Sequence, residues 1–198
     1  MIPRRLARLL LVLALVGAGA LVFVVGRSTS QNFDRNDPAA VLAAIRTALR
    51  GEIHPESICL AIPPHFPDLV IVRVVVPDAG CLPQGLFLRG QWQRIETGTL
   101  DRIGREQLAA RGWASADAAA RRDLALQWVV EALYPDRAVT ETTRLPPALQ
   151  AAGLPLPEAR SRPDGGVEVR ISVVNLTVAG PIPARVTVII GADGTAGR

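Results

Sequence analysis

The chain has 198 residues, with 22 basic against 18 acidic side chains and a formal net charge of +4. Arg4, Arg5, Arg8 and Arg27 flank a single apolar segment, so the rest of the chain carries 18 Arg against 18 Asp and Glu. A formally neutral remainder offers no basic groove for phosphates, and nucleic acid is not expected as a partner. Every basic residue is Arg, which excludes Schiff-base lysines, lysine general bases and P-loop lysines. The absence of Lys, alongside abundant Ala, Gly and Pro, reads as the coding bias of a GC-rich genome, and a bacterial source is expected.

Residues 1–27 read as a cytoplasmic tail and a transmembrane helix. Leu9 to Gly26 is an uninterrupted apolar run. At 1.5 Å per residue it reaches roughly 27 Å, close to the thickness of the bilayer hydrocarbon. Arg8 and Arg27 can snorkel at its ends. Ala18-Gly19-Ala20 has the small-x-small pattern of a signal-peptidase site, but Leu21 to Val25 continue the apolar run, whereas a cleavage site normally ends it. Retention is therefore the expectation, with cleavage after Ala20 the competitor. Three Arg precede the span and one follows, so the N-terminus is expected in the cytoplasm and the domain in the periplasm of a bacterial inner membrane. Gly17 and Gly19 make a small-residue patch that would let another helix approach.

Residues 28–36 are polar and aperiodic and suit a tether. Residues 37–190 form the expected extracytoplasmic domain. Asp37 as N-cap and Pro38 at the first helical position start a helix with an apolar stripe of Val41, Leu42, Ile45, Ala48 and Leu49, ending near Gly51. Ile62 to Pro67, with three prolines, is a stiff extended connection. Leu69 to Val76 reads as a strand buried on both faces, followed by a turn at Pro77 to Gly80. Leu86 to Leu88 and Trp92 to Ile95 read as a short hairpin around Arg89-Gly90.

Two helical segments come next, from about Asp101 to Arg111 and from Ser115 to Tyr134. In the second, Ser115 is the expected N-cap and Pro135 the stop, while Asp123, Gln127 and Glu131 form a narrow polar stripe on an otherwise apolar core helix. A helical turn at Ala148 to Ala152 and an irregular surface connection from Gly153 to Gly166 follow. Val167 to Val178 alternates strictly until its phase shifts after Val174, which predicts a bulge near Val173 to Val174. Ala179 to Pro183 then joins a partner strand, Arg185 to Ile190, and residues 191–198 read as a frayed flexible tail. The order of elements describes an α+β domain with a mostly antiparallel sheet and helices packed on it.

Chemistry-bearing residues are sparse. Cys59 and Cys81 are an even pair in a compartment expected to be oxidising, so a disulfide is the first reading, ahead of free thiols. Adding His54 and His65 gives a Cys₂His₂ set whose spacing fits no zinc pattern. Both histidines sit beside prolines in apparent loops, with no nucleophile elbow, triad order or metalloprotease motif near them. No phosphate-binding glycine loop is present. Asn175-Leu176-Thr177 matches a glycosylation sequon but falls within a strand. Arg73 is the unusual residue of the first strand, because Leu69, Ile71 and Val75 on its face are apolar. Its readings are an internal pair with a carboxylate, a place at the open margin of the sheet, or a ligand site for an anion.

No catalytic residues, metal or cofactor are expected. The reading is a single-pass inner-membrane accessory or assembly subunit, with the lipid bilayer and other membrane or periplasmic proteins as partners. The alternatives are a periplasmic sensor domain that binds a small ligand at Arg73, and an anchored hydrolase.

Overall fold

A computed structural model describes residues 33–35, 37–49, 57–76, 80–141, 145, 147–177 and 180–197. The expected membrane segment Leu9–Gly26 lies outside the described residues, as do residues 28–32 of the tether, Gly51 and His54. Among the described residues no helix is long and apolar enough to cross a membrane.

The fold is α+β and is built on two four-stranded antiparallel sheets, where the sequence suggests one. Helix α1 (Pro38–Leu49) begins as its sequence dictates, with Asp37 Oδ1 accepting from the Ala39 amide at 2.9 Å. The first sheet is a meander of β1 (Ile58–Ala61), β2 (Leu69–Val76), β3 (Gly80–Leu88) and β4 (Gln91–Arg94). Arg89 and Gly90, at φ 51° and 73°, connect β3 to β4 in a two-residue turn whose positive φ values match the twist of a hairpin. Strand β1 is not foreseen from sequence. It is a four-residue edge strand, too short for a periodic signal.

Helix α2 (Thr99–Ala110) ends on Gly112, where the Trp113 amide donates back to the Leu108 carbonyl at 3.1 Å. Helix α3 (Ala118–Gln127) is capped two residues later than the sequence suggests. Asp117 caps it by accepting from the Ala120 amide at 2.8 Å, while the Ser115 hydroxyl is committed to the Gly112 carbonyl in the preceding turn. The helix runs directly into a π-helical segment, Trp128–Leu133, closed by the Tyr134 amide on the Val129 carbonyl at 3.0 Å. Pro135 follows the end of the helical path, as expected from its missing donor. Helix α4 (Pro147–Ala151) is a short turn.

The second sheet contains β5 (Glu158–Ser161), β6 (Val167–Thr177), β7 (Gly180–Ile190) and β8 (Ala196–Gly197), in that order. It corrects the sequence reading at four places. Strand β5 lies inside the stretch expected to be irregular. Strand β7 begins at Gly180 rather than Arg185. The segment after Ile190 is not frayed: it turns at Gly194 (φ 80°) and returns as β8, with Trp113 Nε1 donating to the Ala192 carbonyl at 2.9 Å.

Nor is there a bulge at Val173 to Val174, which pair with Ala184 and Pro183 in unbroken register. The phase shift marks instead where β6 leaves the core, since Val173 is buried and Val174 only half-buried. The irregularity falls in the first sheet, where Val72 pairs with Gly85 and Arg73 with Pro83, leaving Gln84 as the extra residue.

Two cores result. Val41 and Ile45 of α1 pack on Val70, Val72 and Phe87, one face of the first sheet. On the other face Leu69, Ile71 and Leu86 share the main core with α2, α3, the π-helical segment and the alternating Val167, Val169 and Ile171 of β6. Trp128 sits within this main core with its ring edge-on to Phe66, centroids 5.2 Å apart.

Candidate functional site

Arg73 is where the buried face of β2 turns polar, and the structure places it against the chain that follows the π-helical segment. Its residue is 3% exposed. Nη1 donates to the Pro135 carbonyl at 3.1 Å and Nη2 to Asp136 Oδ2 at 2.6 Å, while Nε is buried without a partner among the described residues. A guanidinium in an apolar interior requires such acceptors, because stripping its hydration without replacing it is costly. Asp136 supplies its carboxylate from a backbone in the left-handed region, φ 59°. The Arg137 carbonyl then accepts from the Val174 amide at 3.0 Å, and the Val139 amide donates to the Ser172 carbonyl at 2.8 Å, so the same segment is stitched to β6.

Residues 131–138 thus form a wall pinned to both sheets, and a cleft opens on each side of it. The smaller, about 260 Å³, lies against the proline-rich connection, with Ile62, Pro63 and Pro64 facing Glu131, Pro135 and Asp136. Glu131, read from sequence as part of a solvated stripe, reaches across to His65: Oε1 is 2.5 Å from Nδ1, and Oε2 accepts from the His65 amide at 3.1 Å. Arg111 donates to the His65 carbonyl and its guanidinium lies over the Phe66 ring, 5.4 Å from the centroid. His65 is therefore a structural clasp between the connection and the helix end.

The larger cleft, about 670 Å³, is bounded by Leu82 and Pro83 of β3, the stretch from Ile95 to Asp101, Leu133 and Tyr134, Arg137, and Ala196 and Gly197 of β8. Its size is in the range of sites that hold small ligands or peptide segments. Glu96 and Asp101 bring carboxylates to it, while Arg137 is turned to Asn175 Oδ1. Neither cleft is lined by Arg73.

Cys59 and Cys81 form a disulfide, with Cα atoms 6.2 Å apart. They belong to the two strands that flank β2, opposite Arg73 and Val75 respectively. The sulfurs are bonded to each other and so are not available as zinc ligands. Among the described residues no group of three His, Cys, Asp or Glu side chains is placed to hold a metal ion.

Of the residues singled out from sequence, Cys59, Cys81 and Arg73 all lie at one end of the first sheet. Asp136 and Glu96 carried no sequence signal, since each sits in a loop without periodicity, and Asp101, in the first turn of α2, marked only the start of a helix. Comparison of the chain with family models, curated proteins and solved structures finds no match.

Proposed function

We propose that the chain is a single-pass membrane accessory or assembly subunit whose folded domain binds other proteins on the periplasmic side of a bacterial inner membrane. The observation that carries this reading is the terminal hairpin β6–β7, eleven paired positions long, whose outer half runs past the core. Ile182 in its outer half is 51% exposed. Among the described residues β8 covers only Ile189 and Ile190 of β7, so Pro181 to Thr187 form an open strand edge.

The backbone alternation decides how that edge can be used. The Gly191 amide donates outward to the Thr195 carbonyl, and the Val174 amide of β6 points away from β7 to the Arg137 carbonyl, so odd-numbered residues of β7 direct their N–H and C=O groups outward. Pro181 and Pro183 are therefore at outward positions, where a missing N–H breaks no ladder bond. They blunt the outer edge against indiscriminate strand addition and leave the amides of Arg185 and Thr187 as its outward donors. A hairpin protected in this way and still bearing an exposed isoleucine suits recognition of a specific partner.

The apolar run Leu9–Gly26 with its Arg flanks supports restriction to the membrane surface. The small-ligand alternative built on Arg73 has less support, because its terminal nitrogens are occupied and it lines neither cleft. The test is extraction of the full chain in mild detergent followed by size analysis. Co-migration with a defined set of membrane or periplasmic proteins, lost on Ile182→Asp substitution, is expected. A monomeric chain with no stoichiometric partner overturns the reading.

A further inference from the structure

The larger cleft occupies the place where the first sheet is left incomplete. Strand β4 pairs with β3 only from Gly85 to Leu88, and the last contact of that edge is the Ile95 amide on the Gln84 carbonyl at 3.1 Å. Beyond it the chain turns away into α2, so among the described residues Cys81 to Pro83 have no neighbour on that side. On the facing wall Ala196 and Gly197 belong to β8, the outermost strand of the second sheet. The cleft is therefore bordered by two strand edges. Its floor is apolar, from Ile95, Leu100 and Leu133, and Leu82 is 39% exposed into the same region.

The charge in the cleft is asymmetric. No described side chain bonds the carboxylates of Glu96 and Asp101, and the cation of the described lining, Arg137, donates to the neutral Asn175 amide and keeps its charge. The described lining therefore carries two carboxylates against one guanidinium, a negative excess beside apolar side chains that is complementary to a cation flanked by apolar groups. The cleft also lies away from the point where the N-terminal chain enters. Phe33 lies edge-on to Phe87 with centroids 5.0 Å apart, and Phe87 pairs with Val70, whereas Leu82 pairs with Val74. Four residues of strand separate the two levels, roughly 13 Å.

We infer that this cleft is a peptide-binding site that takes an extended segment of a partner protein, apolar at alternate positions and carrying an Arg or Lys between them. The segment adds to the β3 edge where β4 leaves off, through the outward N–H and C=O of Cys81 and the C=O of Pro83, which has no N–H to offer, and places its cation against Glu96 and Asp101. The inference rests on the proposal that the domain binds proteins, and it locates the binding at a second surface, separate from the terminal hairpin.

Fluorescence anisotropy of the full chain in detergent, with three end-capped labelled tetrapeptides as probes, tests it. These are Val-Arg-Leu-Val, Val-Glu-Leu-Val, and the first peptide N-methylated at alternate amides. The Arg peptide is expected to bind at least ~10-fold more tightly than the Glu peptide, with the preference falling as salt is raised. The Glu96→Gln, Asp101→Asn double variant is expected to lose most of that preference while keeping the native circular dichroism spectrum. N-methylation is expected to abolish binding, because it removes the donors that pair with a strand edge.

Equal binding of the Arg and Glu peptides, or no binding of either, overturns the site. Undiminished binding of the N-methylated peptide overturns the strand-addition geometry. A partner that co-purifies with the wild-type chain and is fully retained by the double variant overturns this inference and leaves the broader reading standing. Absence of any partner from the wild-type chain overturns the broader reading instead.

Discussion

Arg73 Nη2 lies 2.6 Å from Asp136 Oδ2, and the two ends of this pair are unequally placed, the Arg73 side chain being 4% exposed and the Asp136 side chain 77%. Loss of either partner therefore has unequal consequences. Asp136→Ala leaves a buried guanidinium with one carbonyl acceptor and is expected to cost about 2 kcal/mol, below the range for fully buried pairs because the Asp136 end is hydrated. Arg73→Met returns the carboxylate to water and fills the space with apolar volume, at about 1 kcal/mol. Urea unfolding of the two variants measures the order, and a larger loss for Arg73→Met would show that the Pro135 carbonyl contact dominates.

The backbone at Asp136 gives this comparison an internal control. At φ 59° a non-glycine residue is strained. Asp136→Gly removes the same carboxylate as Asp136→Ala but relieves the strain, so it is expected to be about 1 kcal/mol less destabilising. Equal midpoints for the Gly and Ala variants would refute a strained Asp136.

The disulfide joins the strands on either side of β2, and β1 has only four residues with which to hold its place. Closing a loop between cysteines 22 positions apart is worth about 3 kcal/mol on the chain-entropy account. Reduction, or the Cys59→Ala, Cys81→Ala double substitution, is expected to lower the unfolding midpoint and to speed exchange of the β1 amides more than those of β6. Two alkylatable thiols in the oxidised protein would contradict the pairing.

The elements that sequence made legible are those with long periodic runs. Alternation in Val167 to Val173 and the stripe of Val41, Ile45 and Leu49 specify burial on their own, and the structure buries Val41, Ile45, Val167, Val169, Ile171 and Val173. Strands β1, β5 and β8 were hidden because two to four residues carry no period and their pairing is decided by neighbours far along the chain. The disulfide was legible from an even count of two cysteines. The acceptors of Arg73 were not, because Pro135, 62 positions away, and Asp136 are placed by a π-helical segment that ends at Leu133, and an i to i+5 pattern leaves no distinct mark in composition. The clefts escaped for the same reason, being formed by residues from five separate stretches.

Gly85 and Gly104 leave no room for a Cβ beside a tryptophan, and the surroundings predict unequal outcomes for the same substitution. A Cβ at Gly104 would sit 2.8 Å from Trp128 Cε2 and Nε1, and Trp128 is fully buried. A Cβ at Gly85 would sit closer still to Trp92 Cη2, but Trp92 is only half-buried and its ring can swing outward. Gly104→Ala is therefore expected to lose about 2 kcal/mol despite the gain in helix propensity, and Gly85→Ala under about 1. Thermal unfolding gives the ranking, and tryptophan emission should shift to the red in the Gly85 variant as Trp92 moves into water. A Gly85→Ala variant less stable than Gly104→Ala would mean that Trp92 is fixed by packing that its exposure conceals.

The turn between β7 and β8 depends on one carboxylate. Asp193 accepts from the Thr195 hydroxyl at 2.6 Å and from the Thr195 amide at 3.0 Å. These bonds, the hydroxyl first, hold its pKa below the ordinary aspartate value. A depressed folded-state pKa means that the unfolded chain binds the proton more readily. The turn's contribution to stability is then fully present above the unfolded value and is lost as pH falls through the lower folded one. The expected effect is a loosening of residues 191–197 in acid, separate from the β5–β6 end of the sheet, where Arg160 and Arg162 hold the carboxyls of Glu158 and Asp164 low in the same way. Amide shifts of Thr195 and of Ala196 in a pH titration measure it, together with exchange at Trp113 Nε1, whose acceptor Ala192 lies in the same turn. The Asp193→Asn variant keeps a side-chain acceptor without the charge, so its turn should be weaker at neutral pH and indifferent to acid. An identical acid response in the variant would place the titrating group elsewhere.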